Sequence, residues 1–123
     1  MASSPTTRDA SATTVITPHA LHEHWKGHRR VTRRVIEAFP ERELFEFSVG
    51  GMRPFASLAM EFIRMAVPIA QGVATGSWGG GDVAEPKTKA ELLKLWDEAT
   101  AELDRIVPTI PPHRFQEVHT AFG

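Results

Sequence analysis

Apolar residues recur at steps of three and four in three separated stretches of this chain, the period of helices that bury one face. The first stretch opens at Thr17-Pro18, a capping residue followed by proline at the first helical position. Leu21, Trp25, His28, Thr32, Val35 and Phe39 then form a seam, widened by Val31 and Ile36, until Pro40 ends the helix. The second stretch runs from Met52 to Val73. Its spacing predicts a buried stripe of Phe55, Leu58, Phe62, Met65, Ala66, Ile69 and Val73, with Arg53 and Arg64 outward. Pro68 lies within that phase, which predicts a kink rather than an end. The third stretch opens on the capping box Thr88-Lys89-Ala90-Glu91 and carries Leu92, Trp96, Ala99, Leu103 and Ile106, supported by Leu95 and Val107, before Pro108.

The intervening segments read as connections. Residues 1–16, dominated by Ser, Thr and Ala, form a tail, with Val15 and Ile16 as a short arm that docks on the bundle. Residues 41–51 hold a minor apolar set, Leu44, Phe45, Phe47 and Val49, broken by Gly50-Gly51. The glycine-rich loop 76–82 lacks the lysine and hydroxyl ending of a phosphate loop, and no strand precedes it. Trp78 within it reads as a latch on the bundle end or as a ligand contact. After Pro108 the chain reads as an extended segment crossing the end of the bundle. The expected architecture is all-α, an up-and-down helical bundle, in one domain over residues 17–123.

Composition narrows the function classes. The 123 residues carry 14 Lys+Arg against 15 Asp+Glu, so no global positive field invites nucleic acid. The cluster Arg29, Arg30, Arg33 and Arg34 has no interleaved aromatics and reads as a solvated face. Cysteine is absent, which removes disulfides, thiolate metal sites and thiol nucleophiles. No run is apolar and long enough to span a membrane, and the N-terminus lacks the pattern of a secretory signal. The expected location is the cytoplasm, with neither nucleic acid nor membrane as partner.

Glu61 carries the chemical question. Three residues after Leu58 and four before Met65, it shares the phase predicted to face the core, where a lone carboxylate is too costly. His28 sits on the predicted seam of the first helix at a comparable height. A buried Glu61–His28 ion pair is one reading. A divalent metal held by Glu61 and His28, with His24 one turn earlier, is a second, and solvent exposure of one or both residues is a third. Zn, Ni, Fe and Mn all accept such ligands. His19 and His22 are expected on an exposed first turn, and neither HExxH nor a nucleophile elbow is present. Trp25, Phe62 and Trp78 are the candidate lining of a substrate pocket, the substrate itself unknown.

The order of features resembles a known family. A first helix with a tryptophan and an arginine-rich body, a Phe-Pro exit, Met52-Arg53-Pro54-Phe55-Ala56-Ser57-Leu58-Ala59 opening the second, a Gly-Trp loop, a third helix ending near Ile110-Pro111-Pro112, and Ala121-Phe122-Gly123 together look like the DinB-like (damage-inducible) proteins. The bacillithiol and mycothiol transferases share that fold. The resemblance covers roughly residues 18–123. It implies a four-helix bundle, usually dimeric, often with a divalent metal held by one histidine on the second helix and two on the fourth. Here Glu61 stands where the second-helix histidine would be, and the fourth-helix motif has no counterpart. What the resemblance implies is a metal-dependent transferase or hydrolase, or a non-catalytic dimeric binding or interaction module without the metal site. The missing helix would leave a groove, lined by Phe55, Leu58, Phe62, Leu92 and Trp96, for a partner to fill. The expected partner is a second copy, docked through the second and third long helices.

Overall fold

The computed structural model describes residues 15–122, so most of the expected tail lies outside the described residues. Of the docked arm, Val15 is fully exposed and Ile16 half-exposed. The described residues are helical without strands: α1 Pro18–Ala38, α2 Glu41–Glu46, α3 Phe55–Thr75 and α4 Lys89–Ile106, then 3₁₀ turns at Val107–Thr109 and Pro112–Gln116. None of these helices is long and apolar enough to cross a membrane.

The helix starts follow from local chemistry. Thr17 Oγ1 accepts from the Ala20 N–H at 3.0 Å, and Thr88 Oγ1 from the Glu91 N–H at 3.1 Å. Lys89 ties α4 to the preceding elements. Its ammonium donates to the carbonyls of Glu37 and Phe39, and its backbone N–H to Glu41. Those carbonyls are the ones a helix end leaves without partners. The connection after Pro40 contains a helix that hydrophobic period did not predict. One turn suffices to bring Leu44 into the core, fully buried.

Two linked clusters form the core. Ile36, Leu44, Ala56, Ala59, Met60, Ile63, Leu92 and Trp96 make one; Ala66, Ala70, Leu103, Ile106 and Val107 make the other, with Trp25 against it. The α4 stripe is the expected one: Leu92, Trp96, Ala99, Leu103 and Ile106 are all buried. The faces of α1 and α3 differ from expectation. In α3 the inward residues are Ala56, Ala59, Met60, Ile63, Ala66 and Ala70, while Phe62 and Met65 are 52% and 46% exposed. That helix is apolar nearly all round, so period alone does not choose a side, and the alanines allow close helix approach. In α1 the buried residues are His22, Arg29 and Ile36 at heptad spacing. Two of the three are polar and find partners on α4, which a search for apolar positions passes over.

Pro68 leaves α3 unbroken as an element. It has no N–H for the carbonyl of Arg64, one turn earlier. The glycine loop crosses at that point. A Cβ on Gly81 would sit 2.3 Å from the Arg64 oxygen, and Arg64 itself donates to the Val83 carbonyl at 3.0 Å. Glycine is required there for close approach and for its φ of +88°.

Candidate functional site: a cavity at the His22 end

The structure separates the residues that the sequence grouped. Glu61 is not in the core. Its side chain is 45% exposed and takes Nη2 of Arg53 at 2.5 Å, so the carboxylate already has a cation. It lies on the side of α3 opposite the alanine face, and the expected Glu61–His28 pair does not form. His24 and His28 are together, one turn apart on exposed α1, with their Nε2 atoms 3.2 Å apart. Among the described residues no three His, Cys, Asp or Glu side chains converge as a metal site. The set Glu61, His28 and His24 therefore does not fit a three-point metal centre; the two histidines alone offer a chelating pair.

The three candidate pocket residues also part company. Trp25 lines a cavity of about 350 Å³ between the start of α1, the end of α3 and the C-terminal turns. Phe62 is on the open flank of α3. Trp78 packs on the same C-terminal end of α3 but against Gly72, where a Cβ would come within 2.2 Å of the indole, and does not line the Trp25 cavity. It also meets the Phe122 ring edge-on at 5.3 Å. Leu92 and Trp96, expected along a groove, are sealed in the core.

The Trp25 cavity is walled by Leu21, Ile69, Val73, Val107 and Ile110, with His22 among them. His22 was expected in solvent and is 6% exposed. Its Nε2–H donates to the Asp104 carboxylate at 2.9 Å, which fixes the ring. Its Nδ1 is buried with no partner among the described residues. Lys26 approaches the same carboxylate at 3.4 Å and pairs with Glu23 at 3.0 Å. The hydrogen bond from Lys26 holds the Glu23 carboxyl below its ordinary range, and the same bond from the other side raises Lys26. At the cavity mouth Glu117 receives His119 at 2.9 Å, with Arg114 beside it.

The signal for this site was present in the sequence: His22, Arg29 and Ile36 repeat every seven residues, as Trp96 and Leu103 do on α4. A second apolar surface lies on the opposite flanks of α1 and α3. Leu21, His28 and Val35 repeat by sevens on one, Phe55, Phe62 and Ile69 on the other. Phe39 stacks on Phe55 at 5.2 Å at one end of this seam, and the His22 cavity closes the other. Between them Val31, Val35, Phe62 and Met65 stay from 37% to 52% exposed. No family model matches the chain, and no curated protein matches it.

Proposed function

We propose that the chain is a non-catalytic interaction module on a DinB-like helical frame, and that it docks a second copy of itself along the seam between α1 and α3. The observation that carries this reading is the exposure of the apolar residues Val31 and Val35 on α1 and Phe62 and Met65 on α3. Adjacent apolar patches on helix flanks mark interaction surfaces more often than scattered ones do. The inner faces of α3 and α4 pack on one another, which favours this surface over the groove expected from the sequence. Self-association is the simplest occupant, because a two-fold pair presents the same patch twice. Light scattering between micromolar and millimolar concentration tests it. A dimer that Phe62→Glu converts to a folded monomer supports the reading; a monomer throughout that range rules it out.

The metal-dependent transferase or hydrolase keeps one supporting observation, the 3.2 Å separation of the His24 and His28 Nε2 atoms. A divalent ion there would act as a Lewis acid. With Glu61 held by Arg53, the described residues supply two imidazole ligands there and no third His, Cys, Asp or Glu beside them.

A further inference from the structure

We propose that the cavity at the His22 end binds a small neutral apolar molecule carrying one hydroxyl, of the size and chemistry of an alkylphenol. The inference goes beyond the docking seam and does not depend on what covers it. Two independent features point to a ligand. The first is the cavity: about 350 Å³, within the range of small-molecule sites, with walls of Leu21, Trp25, Ile69, Val73, Val107 and Ile110. Such walls favour an apolar body, and Trp25 among them adds aromatic surface.

The second is His22. Donation from Nε2 to Asp104 leaves the lone pair of a neutral imidazole on Nδ1. That atom is shut away from water and has no donor among the described residues. A buried acceptor without a donor carries its desolvation cost uncompensated. A hydroxyl brought into the cavity supplies the missing donor. The same logic makes the site reject an isosteric molecule without one, since the acceptor would stay unpaired. Nδ1 itself has no accessible surface, so the wall residues Leu21 and Phe115, 41% and 37% exposed, must shift before the hydroxyl can reach it. The mouth carries Arg114 of one sign and Glu117 of the other, so neither an anion nor a cation is selected.

The test compares 4-ethylphenol with 4-ethyltoluene, in which a methyl replaces the hydroxyl, by nuclear magnetic resonance titration of the full chain. The Trp25 indole signal, assigned through Trp25→Phe, reports the cavity. The expected result is saturable movement of that signal and binding of the phenol at least tenfold tighter than of the hydrocarbon. In His22→Phe the preference should fall to one or below. Val73→Trp, which fills the cavity from α3 without touching His22, should abolish binding of both and decides the question if His22→Phe does not fold. Equal affinities in the wild type, a preference that survives in His22→Phe, or binding that survives in Val73→Trp would each overturn the proposal.

Discussion

The guanidinium of Arg29 lies 4.2 Å from the centre of the Trp96 ring and donates from Nη2 to the Trp96 carbonyl at 3.2 Å. Arg29 also reaches Thr100 Oγ1 from Nε at 3.0 Å, and only 5% of it remains exposed. Burial pulls its pKa down to about 10, against the pull of Asp104 and Asp97, so it is still a cation at neutral pH. A charge is tolerated there because Nε and Nη2 have acceptors and the guanidinium faces an aromatic quadrupole. Arg29→Ala should therefore lower stability by about 3 kcal/mol, the scale of a large-to-small core change. Arg29→Met keeps the stem that packs on the indole and should cost less than about 1.5 kcal/mol. Urea unfolding measures both. Equal losses would show that charge, rather than packing, sets the contribution of Arg29.

Gly72 and Trp78 form a second contact that depends on one missing atom. Glycine inside a helix normally costs stability relative to alanine, by about 1 kcal/mol. At this position the sign should reverse, because the added Cβ would press into the indole at 2.2–2.4 Å. Gly72→Ala is expected to destabilise by about 1–3 kcal/mol, the range for overpacking. In a Trp78→Ala background the same change should stabilise. A thermal double-mutant cycle reads the coupling; independence of the two changes would mean that Trp78 leaves the helix in solution.

The helices were legible where one kind of signal decided them. Thr17-Pro18 and Thr88-Lys89-Ala90-Glu91 announce starts, and α4 alternates apolar and charged residues sharply enough that its stripe from Leu92 to Ile106 is the buried one. The rotation of α1 and α3 was not legible. Phe62 and Met65 are larger apolar groups than Ala59 and Ala70, yet the alanines face inward because helix packing selects fit as well as hydrophobicity. On α1 the inward side is held by His22 and Arg29, whose partners Asp104, Trp96 and Thr100 lie on α4, distant in sequence. Once α3 turns, Glu61 leaves the core with Phe62, and Arg53 rather than His28 becomes its partner. The cavity was missed for the same reason: the seven-residue repeat of His22, Arg29 and Ile36 marks the inward side of α1, but two of the three are polar.

Acid should weaken the junction of α1 and α4. Arg33 holds Asp97 through two bonds of 2.7 and 2.9 Å and meets Glu37 at 3.0 Å. The hydrogen bond from Arg33 lowers the Asp97 pKa below its ordinary value. Its contribution is thus present above the unfolded carboxyl value and is lost as pH falls through the depressed folded one. Both side chains are partly in water, so the pair contributes about 0.5 kcal/mol at moderate salt. Unfolding followed from pH 7 to pH 2 should show a difference between wild type and Arg33→Gln that is present at pH 7 and gone at pH 2. A difference that stays constant with pH would assign the loss to packing of the arginine stem.

Metal addition separates the two histidines of α1 from Glu61. At the 3.2 Å separation of their Nε2 atoms, an ion at ordinary Zn–N distances of about 2.0–2.1 Å subtends about 100–105°, near tetrahedral. Both side chains are exposed, and an ion there stiffens one turn of a helix already formed. Zinc should therefore bind weakly, with its remaining positions taken by water. At a free concentration tenfold above the dissociation constant the gain is about 1.4 kcal/mol, which raises the melting temperature by several degrees. His24→Ala and His28→Ala should each abolish that rise, because one imidazole offers no chelate. Glu61→Gln should leave it intact, since Glu61 lies on α3 rather than α1 and is already paired with Arg53. Chelator added to the protein as purified should not shift the melting temperature, in contrast to a chain whose fold depends on an ion. A zinc response lost in Glu61→Gln would show that Glu61 swings away from Arg53 to join the histidines, and would restore the three-ligand centre. No zinc response in the wild type would leave the pair as neighbouring surface imidazoles without a role in metal binding.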